Sequence, residues 1–438
     1  MAMVRTLERP VAAPTDDETP GHAPRRRPRG ARFGPWSVPM LGSALFALVA
    51  VNYALWWNPV VHHVDAWWVP GDFWIDYFGT SALVHGHWSA MYAMHTGLDV
   101  PPGILVVLAP AVALGQLLHL SIGMPYTAVS TPTTWLLLEP FAVSSGCVAL
   151  FATDALARRL TVPVHRRTIL MGAEVFALWD LLVNQWHPED ALAVALALWG
   201  LLAAFDGRWR RSSWLLGVAI AFQPLVVLAL AAVVAIAPRR SSLGLVIRAA
   251  IPPVVVLAGP LLANPGDTVR AVLTQPGYPL VDHPTPWTSL APHLSGGAVA
   301  AGPVRLVAVA LAVVMSWVVC RRTQRLAVVV WTVALCFATR SVFESVMVAY
   351  YIWPTLAVAL VVAARAHWTR FASACVLSSF VTAFALSGWR GEWAWWSIVI
   401  GSIGAVLVAA WPRATGAAPG SPAAETPSST DTLVVADS

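Results

Sequence analysis

The sequence has no lysine: all 27 basic residues are arginine, and with abundant Ala, Val and Pro this is the composition of a GC-rich genome. Charge of either sign is scarce, at 11% of residues, against 58% hydrophobic residues and a mean hydropathy of +0.67. That balance excludes the two or three soluble domains that 438 residues would otherwise suggest. Cysteine is limited to Cys147, Cys320, Cys336 and Cys375, each inside an apolar segment, so neither a disulfide framework nor a metal-binding spacing is on offer. A Gly-rich phosphate loop, a Rossmann fingerprint and a fixed-period repeat are also missing, which argues against soluble nucleotide chemistry. The net charge of +5 does not imply nucleic acid, because the arginines lie where membrane topology would place them.

What is present is a series of apolar blocks, many near the roughly 20 residues needed to cross a bilayer. The expected fold is an all-α polytopic membrane protein with about ten transmembrane helices and two re-entrant hairpins. Residues 1–37 read as a disordered, basic cytoplasmic tail, 38–411 as the transmembrane domain with outer loops 58–100 and 264–299, and 412–438 as a second disordered cytoplasmic tail. The first span, 38–57, starts late and lacks a small-residue cleavage site, so it reads as a retained anchor. Further spans are expected at 134–157, 168–186, 190–206, 243–263, 300–319, 326–340, 350–364, 371–388 and 394–411. A full crossing at 101–120 would put Arg158, Arg159, Arg166 and Arg167 outside, so that block is read as a hairpin bending at Pro110. Block 212–237, flanked by arginines on both sides and broken at Gln223-Pro224, is the second hairpin. Both termini then lie in the cytoplasm, and only Arg270, Arg305, Arg340 and Arg390 face outward from the plasma membrane.

This topology gathers ionisable residues at the outer face. The first loop contributes Asp65, Asp72, Asp76, His85, His87, His95 and Asp99, and the end of the third span contributes His187, Glu189 and Asp190. Loop 264–299 adds Arg270, Tyr278, Asp282, His283 and His293, followed by Arg340 and Glu344. Charged groups near membrane depth are costly, and those at helix ends are functional candidates by default. The mix suits sugar transfer from a lipid phosphate. An acceptor hydroxyl needs a carboxylate to take its proton, and the departing phosphate needs Arg or protonated His. Trp67, Trp68, Trp74 and Trp88 suit sugar faces or the bilayer interface.

The run Asp72-Phe73, Tyr77, Ala82-Leu83, Gly86 and Tyr92, followed by Pro101-Pro102, resembles the first outer loop of bacterial GT-C glycosyltransferases, and most closely the polyprenyl-phosphate-mannose-dependent mannosyltransferases of the actinobacterial cell envelope. Gln223-Pro224, Phe343-Glu344 and Tyr350-Tyr351 are similar in the same direction, so the resemblance covers most of 60–365. The sequence departs from the pattern at Val100, where an aromatic often precedes the Pro pair, and at His85 and His87, which flank the glycine. The resemblance implies an active site on the outer face and inverting transfer of a sugar, mannose above others, from a polyprenyl-phosphate donor to an envelope lipid or glycan. It implies Asp72 as the catalytic base and no separate cofactor.

Each candidate has a plainer reading. Asp72 also suits a helix N-cap, and Asp76, on the same helical face, is either a sugar or acceptor ligand or an exposed loop carboxylate. His187-Pro188-Glu189-Asp190 reads as a helix start or as a contact to phosphate or sugar. Arg340 and Glu344, four apart, form either a structural ion pair or a donor-phosphate contact. His85 and His87 are taken as substrate-binding; the other reading joins them to His187 in a metal site, for which a His-x-His spacing alone is a weak signal. Glu139, Glu174 and Asp180 lie within spans and suit interhelical hydrogen bonding, while Glu174, deep in a helix, also suits a proton path. A proton path would suit the rival function, a transporter or flippase of a lipid-linked or small polar substrate.

Overall fold

Apolar Ala, Leu and Val blocks have little choice but helix where water cannot satisfy the backbone, and nearly all of them are helical in the computed structural model of the protein. It describes residues 34–413 apart from 35, 58, 59, 61–65, 68, 94–97, 99, 100, 121, 123–131, 302, 303, 388, 390 and the side chain of Glu392. The two expected tails therefore lie outside the described residues almost entirely, as do Asp65, Trp68, His95, Asp99 and Arg390.

Fifteen α-helices are described. In chain order they are α1 (Ser37–Asn52), α2 (Phe73–Val84), α3 (Gly103–Leu117), α4 (Pro132–Arg159), α5 (Val164–Leu178), α6 (Pro188–Phe205), α7 (Trp209–Phe222) and α8 (Val227–Ile236). There follow α9 (Arg239–Ala263), α10 (Pro265–Thr274), α11 (Val304–Cys320), α12 (Leu326–Val342), α13 (Trp353–Ala363), α14 (Trp368–Ala385) and α15 (Glu392–Ala410). Five stretches are long and apolar enough to cross a membrane: Ser37–Trp57, Pro132–Arg159, Pro188–Phe205, Arg239–Ala263 and Trp393–Ala410. Five shorter apolar helices accompany them: Gly103–Leu117, Pro224–Ile236, Val304–Cys320, Leu326–Val342 and Ala349–Ala363. The chain is thus an all-α protein with the helices of a membrane protein.

Neighbouring helices pack in a chain of contacts: α4 with α6, α6 with α7, α7 with α9, and on the other side α11 with α8 and α12, α12 with α13, and α14 with α15. Close approach needs glycine where backbones touch. A Cβ on Gly103 would lie 2.3 Å from the Ala221 carbonyl oxygen, so α3 meets the end of α7 there only because residue 103 has no side chain.

The two expected hairpins fare differently. Pro110 lies inside an uninterrupted α3, so the bend predicted there is not found. A single proline removes one backbone donor and kinks a helix without reversing it. Instead α3 lies along α2, and Gln116 donates to Ser81 Oγ at 3.1 Å. The helix break at Gln223-Pro224 is present: α7 stops at Phe222, one 3₁₀ turn covers Pro224–Val226, and α8 leaves on a different set of neighbours.

Loop 264–303 carries α10 and one strand, His283–Pro284, which pairs antiparallel with Val346–Met347. Thr285 Oγ1 donates to the Glu344 carbonyl at 2.7 Å and Trp287 Nε1 to the Val342 carbonyl at 2.6 Å. The loop is in this way tied to the end of α12, where Glu344 lies.

Candidate functional site

Asp72 occupies the N-cap position of α2, yet its side chain makes no capping hydrogen bond. The carboxylate turns outward instead, 48% exposed, with Oδ2 3.2 Å from His187 Nε2. Capping, the plainer reading of this residue, is therefore not what holds it. One turn on, Asp76 faces the same way but is buried, and its Oδ2 accepts from Trp186 Nε1 at 3.3 Å. Burial is the main cause that pushes the Asp76 carboxyl well above the ordinary carboxylate range, and the Glu189 charge adds to it.

His187 reaches this point through irregular backbone. α5 gives way to a π-helical turn at Trp179–Asn184, and Trp186 then takes a left-handed φ of 62°. Both features are costly for ordinary side chains and concentrate at functional sites. They turn the chain so that His187 precedes Pro188, the first residue of α6, with its ring among acids. Nδ1 is 2.8 Å from Glu189 Oε1, while Nε2 faces Asp72. The ring stacks on Tyr350 at 3.6 Å between centroids. Two acceptors on two ring nitrogens fit the doubly protonated imidazolium, in which both nitrogens donate. Burial alone would lower the His187 pKa, but Glu189 and Asp72 outweigh it and hold the group well above its usual value.

Glu189 and Asp190 do sit in the first turn of α6, as a simple helix start requires, but both are buried. Glu189 Oε2 and Asp190 Oδ1 have no hydrogen-bond partner among the described residues. With His187 they offer three ligand atoms within 4.8 Å of one another, a set that would suit a divalent cation. Such an ion would have to displace one of the carboxylates now facing the imidazole.

Across a cavity of about 70 Å³ stand the cations. Arg305 donates to Glu344 Oε1 through Nε at 2.7 Å and also meets Gln275. Arg340 Nε donates to Glu344 Oε2 at 3.3 Å, and its guanidinium lies 4.0 Å over the Tyr351 ring. Arg340 Nη1 is buried without a partner among the described residues. The ion pair read from the i, i+4 spacing exists, and one guanidinium arm is left over. A second cavity of about 130 Å³ shares Gln223, Gln275, Arg305 and Arg340 with the first. Its remaining wall is apolar, including Leu225, Leu228, Ala308 and Val309.

Of the sequence candidates, the fold gathers Asp72, Asp76, His187, Glu189, Asp190, Arg340 and Glu344. His85 and His87 are not among them. They stack on each other at 5.9 Å, His85 Nδ1 donates to the Ser81 carbonyl, and both lie at the far end of α2, roughly 20 Å along the helix from Asp72. Arg270 pairs with Asp267, and His283 stacks on Trp395. Trp74 is buried among Phe73, Tyr77 and Phe78, so it fills core and offers no sugar face. Residues that reading the sequence missed are Arg305, Gln275 and Trp186. Arg305 carried a signal, being one of the few arginines expected outside. No known protein family and no curated protein matches the chain.

Proposed function

We propose that the protein is an integral-membrane glycosyltransferase that moves a sugar, mannose by the family resemblance, from a polyprenyl-phosphate donor to an envelope lipid or glycan. The observation that carries this reading is Asp72: an uncapped, half-exposed carboxylate held by an imidazolium whose ring lines a cavity with a cationic opposite wall. In the reaction the acceptor oxygen bonds to the anomeric carbon as the bond from that carbon to the phosphate oxygen breaks, and the acceptor proton passes to Asp72. The polyprenyl phosphate leaves toward Arg340 and Arg305, whose guanidinium groups match phosphate geometry. Its isoprenoid chain follows the apolar cavity between α8 and α11. His187 keeps Asp72 oriented and charged, and Glu189 keeps the imidazolium in place.

The same reading places the cluster on the outer face of the plasma membrane, with ten spans and both termini in the cytoplasm. In it α2 and α3 lie at the outer surface, and α7 with α8 form the single re-entrant pair.

The test is transfer of radiolabel from polyprenyl-phosphate mannose to an envelope lipid extract by the purified protein. The expected result is a labelled product that requires Asp72. A second reading, transport, is favoured by Glu139 and Glu174, which are buried within helices where a proton could be passed. No transfer from mannose, arabinose or glucose donors, together with substrate-dependent proton uptake in vesicles, would favour that alternative.

A further inference from the structure

A larger cavity lies at the other end of the helices that carry the cluster. α6, α12 and α13 each have one end at His187, Arg340 or Tyr350 and the other at a pocket of about 550 Å³, roughly 20–25 Å away along their axes. Five arginines line it: Arg159, Arg325, Arg365, Arg370 and Arg413. No acidic side chain does so among the described residues. Asp206 partly offsets Arg159 from 3.7 Å, and Arg370 donates to the Val408 and Trp411 carbonyls that end α15. Arg325 and Arg365 have no side-chain partner among the described residues, and Arg370 and Arg413 are close enough to repel. Membrane topology alone explains arginines at one end of a bundle, spread over its rim. It does not explain their convergence on one pocket, which costs stability until an anion enters. The floor is apolar, with Leu160, Leu326 and Val362, and the exposed Val408 and Trp411 continue that apolar surface at the edge.

We propose that this cavity binds the phosphate of an anionic glycerophospholipid, the arginines holding the headgroup and the apolar floor and edge receiving the start of the acyl chains. The site is separate from the cluster and stands whether or not the protein transfers sugars.

The experiment is native mass spectrometry of the delipidated full-length protein titrated with dioleoylphosphatidylglycerol or dioleoylphosphatidylcholine. One saturable phosphatidylglycerol adduct is expected, and none from phosphatidylcholine. Arg325→Gln with Arg365→Gln should weaken it about thirtyfold, near fivefold for each arginine lost. These two side chains hold no structural contact, so the pair is expected to fold, which its unfolding temperature checks. Arg208→Gln with Arg211→Gln, an equal loss of charge at a separate exposed basic surface, should leave the adduct unchanged. Equal weakening by the two pairs would overturn the proposal in favour of a generic basic surface. Displacement of the lipid by millimolar inorganic phosphate would overturn it in favour of a free-anion site.

Discussion

Asp72 and Asp76 are one helical turn apart and live in opposite surroundings, the first half-exposed and paired with imidazolium, the second buried beside Trp186. Environment divides the labour between two identical side chains. Asp72→Asn keeps the volume and the contact to His187 but cannot take a proton. Label transfer should fall by roughly 10²–10⁴-fold with the unfolding temperature nearly unchanged; wild-type rates in this variant would remove Asp72 as base. His187→Ala should instead destabilise, by about 3–5 kcal/mol, because it strands the buried Glu189 charge. Both His187 and Asp76 bind their protons more tightly in the folded protein than when unfolded, so the native state holds the extra proton and stability declines as pH rises. For Asp76 the decline begins near its ordinary 3.8, and for His187 near 6.5. Thermal unfolding between pH 6 and 9 should show a falling midpoint, and His187→Gln should flatten it.

At the scale of the element, the site depends on departures from regular helix. The π-helical turn and the left-handed Trp186 aim His187, and the bare backbone at Gly103 lets α3 seat on α7. Gly103→Val should cost about 1–3 kcal/mol through overpacking, read as a lower unfolding temperature, while Gly172→Ala, where nothing lies near the added atom, should be tolerated. Much of this level was legible in the sequence. The apolar blocks gave the helices, and the acids of Asp72 and His187-Pro188-Glu189-Asp190 marked the cluster. The path of α3 was not legible, because Pro110 is compatible with a bend or with a continuing helix and only packing against α2 decides. Nor were the partners of Glu344: the spacing to Arg340 is local, but Arg305 arrives from 39 residues away. His85 and His87 misled because sequence proximity to Asp72 becomes distance once α2 is a rigid rod.

At the scale of the whole molecule, the two clusters of charged side chains stand at opposite ends of a largely apolar bundle. One end has acids facing cations, the other has arginines with few acids. In the proposed topology the first end is outside. A cysteine at the exposed Ser295 should then react with an impermeant maleimide in intact cells. Protection there, with labelling only after lysis, would invert the orientation.

Asp190 has its own consequence for biosynthesis. It is buried in the first turn of α6, and of the two cations that act on it His187 is close in sequence while Arg340 belongs to α12. A ribosome adding about 5–20 residues per second delivers Arg340 on the order of ten seconds after the acid. A chain stalled before α12 would leave Asp190 to the imidazolium of His187, which Asp72 and Glu189 already share. Truncated products should therefore be marked for membrane proteolysis, and the charge pair would act as a checkpoint on completed synthesis.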